Sequence, residues 1–203
     1  MKILVLGGFL GSGKTTFLLK LARYLTDHSA HEGPTKLAII ENEIGQNSID
    51  DLILKTGSVE ISTITGGCIC CQISGSLIEA LRKMEDSLKP DWVLVELTGA
   101  AYANAVIENL RMYLPGEHRL VVMAVADAAR WPVLIRAAKP MILNQLKGAN
   151  VIAVNKADAA TDLDMVLDQV RTLMPECRVI PLSAVSDDCA DLLTILEQEA
   201  IAL

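Results

Sequence analysis

Short unbroken runs of aliphatic residues recur along the chain, separated by longer stretches in which apolar positions return every three to four residues. The runs are Ile3–Leu6, Leu37–Ile40, Trp92–Leu97, Leu120–Ala126, Val151–Val154 and Val179–Leu182. Runs of this kind suit strands buried on both faces of a parallel sheet. Between them, Leu18, Leu19, Ala22 and Leu25 fall on one side of a helix, as do Leu77, Leu81, Met84 and Leu88. Strand and helix patterns in alternation predict βαβ units, hence an α/β fold: a mostly parallel sheet with helices on both faces. Chain breakers fall between the elements at Gly33-Pro34, Lys89-Pro90, Leu114-Pro115-Gly116 and Met174-Pro175. The helical pattern continues to Leu203. One block, Asn42 to Ser76, breaks the rhythm: it is rich in Gly, Ser, Thr, Asn and Asp, with a short hairpin predicted at Val59–Ile64. Long irregular segments inside a compact fold are usually functional.

Composition narrows the class. The 203 residues suffice for one well-buried domain, read here as spanning 1–203. Hydrophobic residues make up 51% and aromatics only 3%, so the core is aliphatic. A formal net charge of -7 argues against a nucleic-acid binder, which needs a basic face to neutralise phosphates. No apolar stretch reaches the roughly 18 residues that suggest a membrane span. The first strand runs straight into a glycine loop instead of a secretory cleavage site. Three of the five cysteines, Cys68, Cys70 and Cys71, sit within four residues. That is a metal or redox cluster more than a disulfide framework, and it fits a reducing compartment. A cytoplasmic protein is expected.

The strongest chemical signal is Gly8-Phe9-Leu10-Gly11-Ser12-Gly13-Lys14-Thr15, which fits G-x-x-x-x-G-K-[ST] in full and is followed by Thr16. A triphosphate is cradled by backbone N–H groups at a helix N-terminus, and glycines let the chain wrap closely around it. Lys14 can then reach the β- and γ-phosphates, while the Thr15 hydroxyl can ligate Mg²⁺. A strand precedes this loop and an amphipathic helix follows it, as a phosphate loop requires.

Asn155-Lys156-Ala157-Asp158 follows directly on the run Val151–Val154, at a strand's C-terminal end, where ligands of α/β folds bind. An aspartate there can accept hydrogen bonds from N1–H and the N2 amino group of guanine. Adenine offers an acceptor at N1 and would leave the carboxylate poorly paired. The expected nucleotide is therefore GTP or GDP. Ser183-Ala184, after the run Val179–Leu182, can supply a further backbone contact to the base or a plain helix cap. The run Trp92–Leu97 carries Glu96 near its end, and Gly99 lies three residues on. Glu96 can hold Mg²⁺ directly or through water, and the Gly99 N–H can sense the γ-phosphate.

The least ordinary stretch is Gly66-Gly67-Cys68-Ile69-Cys70-Cys71. Thiolates at this spacing can supply up to three ligands to a soft or borderline ion such as Zn²⁺. The chain must turn for all three to converge, because successive residues of a strand face opposite ways. Gly66-Gly67 and Ser74-Gly75 give that freedom. A regulatory dithiol and inert core cysteines are the alternatives. Glu41-Asn42-Glu43-Ile44-Gly45-Gln46 follows the run Leu37–Ile40, so its carboxylates start on the same sheet edge as the phosphate loop.

Taken in order, Gly-Phe-Leu-Gly-Ser-Gly-Lys-Thr-Thr, Glu-Asn-Glu-Ile-Gly, Gly-Gly-Cys-Ile-Cys-Cys, Glu-Leu-Thr-Gly and Asn-Lys-Ala-Asp make the chain resemble the CobW/HypB/UreG group of metallochaperone GTPases. The likeness is closest to the CobW branch, whose hallmark is a Cys-x-Cys-Cys cluster between the phosphate loop and the second switch. The resemblance implies a P-loop GTPase that binds GTP·Mg²⁺ and Zn²⁺, Co²⁺ or Ni²⁺, and passes the metal to a client protein or cofactor pathway. It implies Cys70 and Cys71 as the main thiolate ligands, with Cys68 close by and Glu41 as a carboxylate ligand. It also implies pairing of two subunits across the nucleotide, and since no residue stands out to position the attacking water, slow intrinsic hydrolysis is expected. Three departures stand out. Ile44 and Gln46 replace an aromatic and an acidic residue common in the family, which bears on any second metal site. Ala100-Ala101-Tyr102-Ala103 lacks the proline often found after the switch. The 203 residues hold no counterpart of the C-terminal client domain usual in the branch, and the expectation is a GTPase domain alone.

The remaining conspicuous residues have ordinary readings. His28, His31 and His118 are scattered, and the first two suit a helix end. Cys177 and Cys189 read as buried small hydrophobes, Trp92 and Trp131 as packing residues, and Asp162, Asp164 and Asp168 as a solvated helix start and face. Three functions fit the motifs. The favoured one is a GTPase whose nucleotide state alters metal affinity at Cys68–Cys71. The second is a GTP-timed regulatory module with a structural zinc or redox cysteine cluster. The third, least favoured, is an ATP-using kinase with a structural zinc.

Overall fold

The computed structural model describes residues 1–27, 35–41, 59–63, 73–97, 103–114 and 116–203. The strands are β1 (Lys2–Gly8), β2 (Leu37–Glu41), β3 (Val59–Thr63), β4 (Trp92–Glu96), β5 (Arg119–Asp127), β6 (Val151–Asn155), β7 (Arg178–Leu182) and β8 (Ile201–Ala202). The helices are α1 (Lys14–Asp27), α2 (Ile73–Ser87), α3 (Ala103–Tyr113), α4 (Trp131–Leu146), α5 (Leu163–Leu173) and α6 (Ala190–Glu199). They enclose a sheet of order β3-β2-β4-β1-β5-β6-β7, parallel throughout, with β8 antiparallel to β5.

Residue alternation along β1 shows how the layers form. Ile3 and Val5 pack on one face with Leu81 of α2, Leu110 of α3, Leu146 of α4 and Val170 of α5. Leu4 and Leu6 pack on the other with Phe17 and Leu21 of α1 and Leu196 of α6. Both faces of the strand are buried, which is why its sequence reads as a continuous aliphatic run and not an alternating one. The six predicted aliphatic runs all form strands, and Leu77, Leu81 and Met84 form the buried stripe of α2. Trp92 and Trp131 are core residues.

The structure corrects three local expectations. Val59–Thr63 is a single strand running parallel to β2, not one arm of a hairpin. Ser74 and Gly75 lie in the first turn of α2, where helical hydrogen bonding replaces the expected freedom. The helical pattern does not reach Leu203: α6 stops at Glu199, and Ile201–Ala202 pair with Leu120 and Arg119. That edge of β5 is open because β6 joins it only from Met123 onward. Backbone N–H and C=O groups left there need partners, and Leu203 N–H completes the set by donating to the His118 carbonyl at 3.0 Å.

β1 lies between β4 and β5, so connections leave it toward opposite sides of the sheet. Ligands of open α/β sheets bind at such a switch point, at the C-terminal ends of the strands. Gly8, Glu41, Glu96, Asp127 and Asn155 all end strands at that edge.

Candidate nucleotide-binding site

The phosphate loop joins β1 to α1. Gly8 has φ 129° and Gly13 φ 100°, a region that side-chain-bearing residues avoid. A Cβ on Gly8 would overlap the Val125 carbonyl of the neighbouring strand, and one on Gly13 would overlap Asn155 Nδ2. Both glycines are fixed by close approach as well as by backbone conformation.

Every carbonyl from residue 8 to residue 13 accepts a hydrogen bond. Lys14 Nζ donates to Gly8 O (3.1 Å) and Phe9 O (3.3 Å). Arg130 Nη2 donates to Leu10 O (2.8 Å), and Lys156 Nζ to Gly11 O (2.8 Å). Asn155 Nδ2 donates to Ser12 O (2.7 Å), and Phe17 N–H to Gly13 O (3.0 Å). With its acceptors tied back into the protein, the loop is left to present donors, the property an anion cradle needs. Ser12 Oγ is buried and has no hydrogen-bond partner among the described residues. An orphaned buried hydroxyl in this loop fits a phosphate-bearing ligand.

At the start of α1, the Thr15 hydroxyl donates to Glu96 Oε1 at 2.9 Å. A hydroxyl and a carboxylate in contact form a hard oxygen donor set of the kind Mg²⁺ takes beside phosphates. Thr16 is exposed one position further on. Glu41 ends β2 in register with Glu96, which brings a second acidic position to the same edge. Gly99, Cys68, Cys70 and Cys71 lie outside the described residues. Among the described residues, no group of three or more His, Cys, Asp or Glu is placed to hold a metal ion.

A second cluster lies across the loop. Asn155 is buried, and its Oδ1 accepts from Ala184 N–H at 2.8 Å while its Nδ2 holds the phosphate loop. Lys156 adopts a left-handed φ of 60° and begins the 3₁₀ turn Ala157–Ala159. Asp158 Oδ1 accepts from Ser183 Oγ at 2.6 Å, and Ser183 N–H donates to Asp187 Oδ2 at 2.7 Å. The N–H groups of Ser183 and Ala184 are thus engaged inside the protein, by Asp187 and Asn155, while the Ser183 hydroxyl orients Asp158. Ser183 does not cap α6, whose N-cap position is Cys189.

Asp127 and Arg130 carry weight that the sequence reading did not assign. Asp127 ends β5, in register with Asn155, with its side chain fully buried. Its Oδ2 accepts from Lys156 Nζ and Arg130 Nε, each at 2.7 Å, and its Oδ1 from Arg130 N–H at 3.0 Å. Burial pushes the Asp127 carboxyl upward, but the bonds from Lys156 and Arg130 outweigh it and hold the group below the usual carboxylate range. A signal was present: like the run that ends at Glu96, the run Leu120–Ala126 leads directly into a carboxylate.

The scattered histidines, aspartates and lone cysteines lie away from these clusters or outside the described residues. His118 is buried, 3.7 Å from Glu85. Asp162 caps α5 by accepting from Met165 N–H at 3.0 Å. Cys177 and Cys189 are free thiols, both pushed up by burial. His28 and His31 lie outside the described residues. No helix among the described residues is long and apolar enough to cross a membrane.

A parallel sheet with a phosphate loop on its central strand and an Asn-Lys-x-Asp turn two strands away defines a P-loop GTPase fold. The chain belongs to the CobW/HypB/UreG family, whose nucleotide-binding domain model matches residues 2–181. Zinc chaperone YjiA of Escherichia coli is 37% identical over 112 residues, covering 53% of this chain and 33% of YjiA. Zinc chaperone YeiR of the same organism is 31% identical over 157 residues, covering 76% of this chain and 46% of YeiR. The chain thus spans between a third and a half of these curated relatives. In fold it is similar to the hydrogenase maturation factor HypB from Archaeoglobus fulgidus, with a TM-score of 0.70 at 14% identity over 98% of this chain and 89% of that one. Zn(II)-bound YjiA GTPase from E. coli superposes with a TM-score of 0.62 at 23% identity, over 93% of this chain and 58% of that one.

Proposed function

We propose that the chain binds and hydrolyses GTP·Mg²⁺ in the cytoplasm, and uses the nucleotide cycle to take up and release zinc, or cobalt or nickel, for a client protein. The observation that carries the nucleotide half is the pairing of two polar clusters across one phosphate loop. Thr15 with Glu96 stands at the phosphate end, and Asp158 aligned by Ser183 stands at the base end.

In this reading Gly8, Gly11, Ser12, Gly13 and Thr16 form the cradle, and Lys14 turns from the Gly8 and Phe9 carbonyls to the β- and γ-phosphates. Phosphoryl transfer to water calls for positioning and charge neutralisation more than for covalent chemistry. Mg²⁺ held by Thr15 and Glu96 supplies part of that neutralisation. Gly99 reads the γ-phosphate. Asn155 and Lys156 hold the loop to the base pocket, Ser183 and Ala184 set the pocket's shape, and Asp158 selects guanine. Zinc is the cargo: Cys68, Cys70 and Cys71 with Glu41 are its proposed ligands, and the relatives named as zinc chaperones support that choice. Two subunits pair across the nucleotide, and hydrolysis by a lone subunit is slow.

The test is displacement of a fluescent GDP analogue by unlabelled GTP and ATP in Mg²⁺. GTP should compete on the order of a hundredfold better than ATP, since a carboxylate that a bound base covers and leaves facing the wrong hydrogen-bond partner costs about 1–3 kcal/mol per group. Asp158→Asn should lose most of that preference. Equal competition by ATP would defeat the guanine assignment.

A further inference from the structure

We propose that Asp127 and Arg130 form a clamp that positions the phosphate loop for the β-phosphate of its nucleotide, and that this pair sets affinity for the diphosphate unit. The inference rests on the guanine-nucleotide reading and adds a determinant outside the phosphate-loop, Mg²⁺ and base motifs.

The loop's most distant turn, Leu10-Gly11, is closed by Ser12 N–H donating to the Phe9 carbonyl at 3.1 Å, but among the described residues its own two carbonyls have no partner in β1 or α1. Its two carbonyls are held only by cations that arrive from elsewhere: Arg130 from the start of α4 and Lys156 from the end of β6. Both cations bind the same oxygen, Asp127 Oδ2. Asp127 itself is immobile, because its other oxygen caps the turn into α4 through Arg130 N–H and its side chain is fully buried. One buried carboxylate therefore fixes two ammonium or guanidinium groups, which fix two adjacent carbonyls. Turning those carbonyls away from the ligand turns the intervening Gly11 N–H toward it, and loop N–H groups of this kind bind the α/β-phosphate region. The guanidinium also lies over Gly11, about where a Cβ on that residue would meet it at 3.1 Å. Lys14 adds a third cation to the loop, on the Gly8 and Phe9 carbonyls. In this proposal Arg130 and Asp127 act through the loop, as positioning residues.

The experiment is competition of GDP and of GMP against a fluorescent GDP analogue in Mg²⁺, with Arg130→Ala, Arg130→Lys and Asp127→Asn beside the unaltered protein. Loss of one charge-assisted bond at a preorganised loop corresponds to about tenfold in affinity. Arg130→Ala should therefore weaken GDP about tenfold and GMP by less than about threefold, since GMP lacks the group the clamp serves. Arg130→Lys should fall between, because an ammonium can reach Asp127 or the Leu10 carbonyl but cannot bridge both as a guanidinium does. Asp127→Asn should match or exceed Arg130→Ala. If it fails to fold, Arg130→Ala carries the test alone, as its side chain is 45% exposed. GDP affinity within twofold of the unaltered protein in Arg130→Ala would overturn the clamp, as would equal weakening of GDP and GMP. An unaltered protein that binds neither GDP nor GTP would instead remove the nucleotide reading, and the clamp with it.

Discussion

Asn155→Ala is the substitution whose cost can be worked most completely from the geometry. The side chain is buried and makes two bonds that join three separate elements: Nδ2 to Ser12 O of the phosphate loop, and Oδ1 from Ala184 N–H after β7. Truncation leaves a buried carbonyl at Ser12, 0% exposed, and a buried N–H at Ala184, 4% exposed. Each orphaned group costs about 1–3 kcal/mol. Water entering the vacated space recovers part of that, leaving a net loss of about 3 kcal/mol. For a chain of this size roughly 2–4 °C accompany each kcal/mol, so Tm should fall by about 6–12 °C. The assay is urea unfolding of the nucleotide-free protein followed by circular dichroism, with a thermal melt in parallel. Asn155→Asp separates the two bonds: it keeps the acceptor for Ala184 but sets a carboxylate against the Ser12 carbonyl. It should be at least as unstable at neutral pH. A loss below about 1 kcal/mol in Asn155→Ala would refute the claim that this side chain ties loop, strand and base pocket together.

Other consequences are equally direct. Gly13→Ala forces a Cβ onto Asn155 Nδ2 at φ 100° and should abolish binding of fluorescent GDP while leaving a folded circular-dichroism spectrum. Thr15→Ala or Glu96→Gln removes half of the oxygen pair, so the gain in GTP affinity on adding Mg²⁺ should shrink about tenfold or more by titration. Asp127 has a folded-state pKa below its ordinary 3.8. The unfolded chain therefore binds the proton more readily, and the stabilisation is fully present above about pH 4 and lost as pH falls through the lower folded value. Asp127→Asn should accordingly be less stable than the parent in urea at pH 7, with the gap closing in acid; a constant gap would contradict this.

Much of this was readable from sequence because its physical cause is local. A strand buried on both faces must be aliphatic throughout, so β1, β2, β4, β5 and β6 announced themselves; β7, an edge strand in which only Leu182 is buried, was marked by its short run Val179–Leu182 alone. Gly8 and Gly13 were legible because a phosphate loop needs positive φ at fixed spacing. Non-local pairing was not legible. Val59–Thr63 has the same residues whether it forms a hairpin or a parallel edge strand, and only the available edge of β2 decides. Ile201–Ala202 becomes a strand because β6 starts late along β5, a stagger no local pattern encodes. Asp127 and Arg130 are three residues apart and look like a common strand end and helix start. Their meaning comes from Leu10, at a sequence distance of 120 residues from Arg130. The Ser183 hydroxyl escaped for the same reason, since its partner Asp158 lies 25 residues earlier.

The most direct test of the account as a whole is a Zn²⁺ competition titration of the reduced protein against a chromogenic chelator. It would be run with GDP and with a non-hydrolysable GTP analogue, and repeated on Cys70→Ser/Cys71→Ser. A metal-handling GTPase predicts zinc affinities that differ between the two nucleotide states by roughly 5–150-fold, the range of typical coupling energies, and that collapse in the double variant. Tight zinc binding of equal strength in both states would contradict it, leaving the cysteines a structural site on a GTP-timed module.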